Sequence, residues 1–200
     1  MKIGIACYPT YGGSGVVATE LGLALAERGH EIHFLSYEPP QRLPAQEDFH
    51  QNVVFHEVRV PPYPLFRYPP YALALASTMV EVVMERGVEL LHVHYAIPHA
   101  VSAVLAREML GDAVRVVTTL HGTDVTLVGQ DESYLTPTRF GIERSDAVTA
   151  VSEHLRRETD RVLCRGCDIR VIPNFIDTGR YNPCRCEETR ARFAPAARRS

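Results

Sequence analysis

Apolar and polar positions along the chain alternate between two rhythms. Short apolar runs of four to seven residues recur, and between them lie longer stretches with helical spacing. The runs predict strands over residues 2–7 (KIGIAC), 31–36 (EIHFLS), 53–60 (VVFHEVRV), 89–94 (ELLHVH), 114–120 (VRVVTTL), 146–151 (DAVTAV) and 168–174 (DIRVIPN). The stretch VVATELGLALAERG predicts a helix over 16–29, with Val16, Leu21, Ala24, Leu25 and Ala26 near one face and Gly29 as its stop. Further helices are predicted over 72–86, over 98–110 with Pro98 in the first turn, over 135–145, and over about 152–163 with Ser152 as cap. The five prolines of PPYPLFRYPPY (61–71) exclude regular structure there, and HGTDVTLVGQDESY reads as a loop.

Strand and helix alternate throughout, with crossovers long enough for parallel pairing. This predicts an α/β fold: a doubly wound, mostly parallel, Rossmann-like sheet. Ligands of such sheets bind at the carboxyl ends of the strands, so the residues just after each strand carry the functional information.

After the first strand comes Tyr11-Gly12-Gly13-Ser14-Gly15, a turn that lets a ligand approach the backbone and presents helix-start amides to an anion. Its spacing is neither G-x-G-x-x-G nor G-x-x-x-x-G-K-[ST], which argues against a bound dinucleotide and a P-loop nucleotidase. After the fourth strand stands His94-Tyr95-Ala96-Ile97-Pro98-His99, and after the fifth His121-Gly122-Thr123-Asp124. His92 and His94 share one strand face, where a histidine can be a satisfied core residue, and His92 is assigned that role. His121 follows a buried strand and opens onto polar neighbours, which makes it the candidate functional histidine. Asn174 holds the corresponding place after the last strand. Neither a nucleophile elbow nor a hydrolase triad emerges, and His92-x-His94 without a third ligand is a weak metal signal.

Composition narrows the class. The 200 residues are 46% hydrophobic and 22% charged, in the globular range. No apolar run approaches the roughly 20 residues that span a bilayer, and the start lacks a signal-peptide pattern, so a cytoplasmic setting is expected. The net charge of −3 hides an asymmetry: residues 1–150 carry 10 Lys+Arg against 17 Asp+Glu, and residues 151–200 carry 11 against 7. The basic tail interleaves acids and lacks aromatics, which argues for a solvated linker over a nucleic-acid site. Five cysteines are an odd number for a disulfide framework. Cys7 reads as core; Cys164, Cys167, Cys184 and Cys186 read as incidental thiols, with a zinc site as the alternative.

Five ordered motifs carry a resemblance: GGSG leading into A-T-E-L-G-x-A-L-A-E-R-G-H-E-I-H; H-V-H-Y-A-I-P-H-A; T-T-L-H-G-T-D; S-D-A-V-T-A-V-S; and I-P-N-F-I-D. Over residues 2–182 the chain resembles the amino-terminal half of a retaining glycosyltransferase of family four, with the two-domain GT-B fold. Together with F-R-Y-P-P-Y, the motifs resemble the branch that moves GlcNAc from UDP-GlcNAc to the hydroxyl of L-malate, the first step of bacillithiol biosynthesis. The resemblance implies an acceptor-binding domain over 1–182, with 183–200 a linker or the truncated start of a donor-binding domain. It implies that the chain alone is inactive and that no metal is required. It also implies roles: Gly13, Ser14 and Gly15 facing acceptor and donor diphosphate, Tyr95 and Thr119 on the acceptor, His121 on the transferred sugar, and Asn174 at the interdomain cleft. Malate is a dicarboxylate and needs cations, for which Arg67 and Arg139 are the candidates; a surface pair with Glu143 is the plainer role for Arg139. Two readings stay open beside this one: a family-four transferase with another acceptor, such as a sugar or inositol phosphate, and a stand-alone ligand-binding α/β module. The proline-rich loop and its tyrosines offer a surface for homo-oligomer formation.

Overall fold

The computed structural model describes residues 1–10, 12–43 and 51–179. Tyr11, the cysteines Cys184 and Cys186, and the expected linker over 183–200 lie outside the described residues.

Among the described residues seven strands form one sheet: β1 (Lys2–Ala6), β2 (Glu31–Ser36), β3 (Val53–Glu57), β4 (Leu90–His94), β5 (Arg115–Leu120), β6 (Ala147–Ala150) and β7 (Ile169–Val171). Every neighbouring pair runs parallel, in the order β3-β2-β1-β4-β5-β6-β7. The order reverses between β1 and β4, so the loops leaving those strands flank the crevice in which such sheets take ligands.

The helices are α1 (Gly13–Glu27), α2 (Tyr71–Arg86), α3 (Val101–Met109), the single turn α4 (Thr123–Thr126), α5 (Glu132–Glu143) and α6 (Glu153–Val162). Helix α1 covers one face, packing Ala18 and Ala26 on Ile3, Ile5, Ile32 and Phe34. The opposite face carries α2 and α3 over Ala6, Leu35, Leu91, Val93 and Val116. Beside them, Ile142 of α5 and Leu155 of α6 pack over Leu120, Val148 and Ala150. Strands buried on both faces explain the nearly continuous apolar runs. Ser152 caps α6 as expected, its hydroxyl accepting from the Leu155 amide at 3.1 Å.

Four local expectations are corrected. Helix α1 begins at Gly13, within the glycine turn, and buries Ser14, Gly15, Ala18, Thr19, Gly22 and Ala26, so its core face is made of small residues. Apolar periodicity overlooks such a face, because a Cβ on Gly22 would stand 2.4 Å from Phe34 Cζ, and only the smallest side chains let the helix lie so close. Pro98 follows a cis peptide bond within a kinked turn, Ala96–Ala100, and the regular helix begins after it. The expected loop after β5 is instead helical in part: α4, a short turn at Val128–Gln130, and α5, which starts at Glu132 because Asp131 caps it through the Ser133 amide. Finally, Cys164 and Cys167 form a disulfide, where free thiols are expected.

Among the described residues no helix is long and apolar enough to cross a membrane. Residues 61–70 form no helix or strand and leave Tyr63, Leu65, Phe66 and Tyr68 exposed.

Candidate functional site

The amino end of α1 stands at the crevice. Gly12 occupies its cap position with no side-chain cap among the described residues, and the first turn holds no acidic residue, so the leading amides and the positive end of the helix can accept an anion. The two flanking glycines have different causes. A Cβ on Gly15 would meet the carbonyl oxygens of Tyr8 at 2.5 Å and Thr10 at 2.7 Å, so the turn cannot close around a larger residue. At Gly13 no atom of the described residues lies within 4 Å of that position. Gly15→Ala is therefore expected to cost about 1–3 kcal/mol through overpacking. Gly13→Ala is expected to leave the fold as stable as before, or up to about 1 kcal/mol more stable, because alanine favours the helix. Thermal melts of both variants check this; equal destabilisation would contradict it.

At the exits of β4 and β5, rings line up in a row. His92 and His94 stack at 4.7 Å between centroids, His94 and His121 at 5.1 Å, and His121 and Tyr95 at 5.6 Å. The register pairs His94 with Thr119, and the side chains that meet, His92 with Thr119 and His94 with His121, are 27 positions apart. His94 Nδ1 lies 2.9 Å from His121 Nε2, and His92 Nε2 lies 2.7 Å from Thr119 Oγ1, which also bonds Thr149 Oγ1 at 2.7 Å. His99 Nδ1 donates to the His94 carbonyl at 2.7 Å. Tyr95 takes a left-handed backbone with φ of 87°, unusual for a bulky residue, and its hydroxyl meets Thr123 Oγ1 at 2.9 Å. Tyr8, from the β1 exit, meets Tyr95 edge-on at 5.4 Å and joins both sides of the crevice.

Beneath this row the Asp124 carboxylate, 1% exposed, fastens the two exit loops together. It accepts from the amides of Gly122 at 2.8 Å, His121 at 3.1 Å and Ala96 at 3.2 Å. Burial raises its pKa, and the three amides oppose that rise. Among the described residues no carboxylate hydrogen-bonds the imidazoles of the row, and burial holds them neutral: His92 and His121 are lowered to about 4, with the neighbouring His92 adding to the effect at His121, and His94 falls well below the usual value. The row thus presents a neutral imidazole at His121, suited to orienting a hydroxyl rather than to abstracting a proton near neutrality.

The structure gathers Gly13, Ser14, Gly15, Tyr95 and His121 at the exits of β1, β4 and β5. Thr119 sits just below, 8% exposed, with its hydroxyl already engaged by His92 and Thr149. Asn174 is exposed and borders a cavity of about 280 Å³ on the α1 face, which His92, His94, Thr119 and Thr149 also line. The two arginines are not brought to the row. Arg67 lies in the exposed proline-rich loop, its guanidinium 5.4 Å from the Tyr68 ring centroid. Arg139 donates to the Val162 carbonyl at 2.9 Å, at the far end of α6. That helix starts at the rim and is ten residues long, so the guanidinium lies roughly 15 Å below it. Sequence reasoning placed His94, His99 and Asp124 at the strand ends without giving them a role, and missed Tyr8; the H-x-H alternation put His94 on the right face, but only the register of β4 on β5 shows what it touches.

Residues 11–180 match the family model described as Glycosyltransferase Family 4. The chain is 55% identical over 181 residues to N-acetyl-alpha-D-glucosaminyl L-malate synthase of Bacillus anthracis, covering 90% of this chain and 47% of that protein. A glycosyltransferase from Rickettsia africae shares the fold with a TM-score of 0.72 at 16% identity, over 98% of this chain and 50% of that one. Sucrose-phosphate synthase from Thermosynechococcus elongatus does so with a TM-score of 0.68 at 19% identity, over 99% of this chain and 53% of that one. The chain spans about half the length of the curated relatives it matches. With the parallel sheet, the open helix end at its switch point and a family model that runs through both, the chain belongs to glycosyltransferase family 4.

Proposed function

We propose that this chain is the acceptor-binding part of a retaining transferase that moves GlcNAc from UDP-GlcNAc to the hydroxyl of L-malate, the first step of bacillithiol biosynthesis. The observation that carries the reading is the 55% identity to the malate synthase over nearly the whole chain. Residues 1–182 form the acceptor-binding domain, residues 183–200 begin the connection to a donor-binding half, and the reaction takes place in the cytoplasm without a metal. The uncapped start of α1, with Gly13, Ser14 and Gly15, offers amides to an anionic group of either substrate. Tyr95 and His121 stand at the neighbouring strand exits to orient hydroxyls, and Thr119 supports Tyr95 from below, its carbonyl accepting from the Tyr95 amide at 3.0 Å.

The neutrality of His121 fits same-face attack, in which the leaving diphosphate takes the acceptor proton while the protein supplies position and hydrogen bonds. Arg67, on its exposed loop, is the cation proposed to meet a malate carboxylate. Arg139, held on the Val162 carbonyl at the far end of α6, is not given that role.

The test is product formation by the full-length protein. With UDP-GlcNAc and L-malate it should release UDP and form GlcNAc-malate, and inositol phosphate in place of malate should give little product. Equal turnover of both acceptors, or transfer to inositol phosphate alone, would favour the alternative acceptor. His121→Ala should lower turnover roughly 10- to 100-fold, the loss of one well-placed hydrogen bond, while malate binding is unchanged. Unaltered turnover would remove His121 from the site.

A further inference from the structure

We infer that His94 is a positioning residue that fixes the ring tautomer of His121, so that His121 presents an Nδ1–H donor to the bound sugar. The inference rests on the transferase reading for its purpose, but its geometry stands on the ring row alone. His94 is fully buried, its Nδ1 is 2.9 Å from His121 Nε2, and its Nε2 is buried without a hydrogen-bond partner among the described residues. The groups facing His94 are the rings of His92 and His121, with His99 bonded to its carbonyl, and none of them carries a charge of opposite sign. The Asp124 carboxylate is occupied by backbone amides.

Two neutral imidazoles that share one hydrogen bond have two ways to place the proton. If His121 donates from Nε2, then His94 must accept at Nδ1 and carry its own proton on Nε2, leaving a buried N–H with no acceptor. If His94 donates from Nδ1, its Nε2 is left as a bare lone pair. Orphaned buried donors are the rarer defect in folded proteins, and an unpaired acceptor is better tolerated. The second arrangement therefore holds: His121 Nε2 accepts, and its remaining proton sits on Nδ1, the nitrogen not used by His94. A sugar hydroxyl or ring-substituent oxygen at that nitrogen receives a hydrogen bond, and a group able only to donate does not.

The first measurement is nitrogen NMR of the chain with labelled histidine at neutral pH. His121 should show a protonated Nδ1 and an unprotonated Nε2, and His94 the same pattern. An Nε2–H tautomer at His121 overturns the inference. The second uses two variants of the full-length protein. In His94→Asn the amide nitrogen takes the place of Nδ1 and keeps the donor, whereas His94→Leu removes it. Turnover number should fall roughly tenfold in His94→Leu with the malate KM unchanged, and return to within roughly threefold of wild type in His94→Asn. Equal loss in two folded variants would show that His94 acts only as packing and overturns the inference. Should the wild-type protein transfer no sugar at all, the transferase reading falls, and the NMR pattern still decides the tautomer by itself.

Discussion

Replacing Asp124 by alanine is expected to destabilise the domain by about 3 kcal/mol, the cost of leaving buried amides without an acceptor less the relief of a buried charge. The carboxylate accepts from Ala96 on one exit loop and from His121 and Gly122 on the other. No other side chain spans that gap with three bonds among the described residues. Asp124→Asn keeps one acceptor oxygen but turns an amide donor toward backbone N–H groups, so it should fall between wild type and alanine. Urea unfolding measures this as a lower midpoint at unchanged slope. A loss under about 1 kcal/mol for alanine would mean that the two loops hold each other without the carboxylate. Because His121 and Tyr95 ride on these loops, the same substitution should also blunt activity in the full-length protein.

Acidification from pH 7 to about pH 5 is expected to remove much of the stability. His56, His92, His99 and His121 are lowered to about 4 by burial, and His33 and His94 are lowered as well. The sign follows from linkage: a histidine whose folded pKa lies below its unfolded value near 6.5 favours folding above that value. Its contribution is lost as pH falls toward the folded pKa. A group that titrates near 4 when folded loses about 2 kcal/mol at pH 5. The histidines lie in three places: the stacked row, His99, and the His33–His56 pair, whose rings meet at 2.9 Å. Counting each place once gives about 6 kcal/mol, against the 5–15 kcal/mol typical of whole domains. Asp124 runs the other way, since its raised pKa makes protonation easier in the fold and softens the loss slightly. Melting temperature should fall by at least about 10 °C between the two pH values. The same melting temperature at both would show that these rings open to water more readily than their burial indicates.

Most of the sheet was legible because its signal is local. Runs such as VRVVTTL announce a strand buried on both faces, and the motifs after each strand mark the rim. The beginning of α1 was harder to read, since a core face of glycine, serine and alanine carries little hydrophobic contrast. The ring row was invisible for another reason: His94 and His121 meet only through the parallel register of β4 on β5, a tertiary fact without a local signature. Arg139 shows the converse. Helix α5 starts earlier than its apolar pattern suggests, and the arginine points along the neighbouring helix toward Val162.

The backbone of Tyr95 offers a way to weigh what this rim costs the fold. A bulky residue at φ 87° stores about 1–2 kcal/mol that a glycine would release. Selection for stability alone would have placed glycine there, as at Gly122 on the adjoining exit loop. Keeping a tyrosine in that posture makes position 95 a gauge of the trade between robustness and use: Tyr95→Gly should lose ring contacts yet forfeit less stability than an aromatic deletion in relaxed backbone.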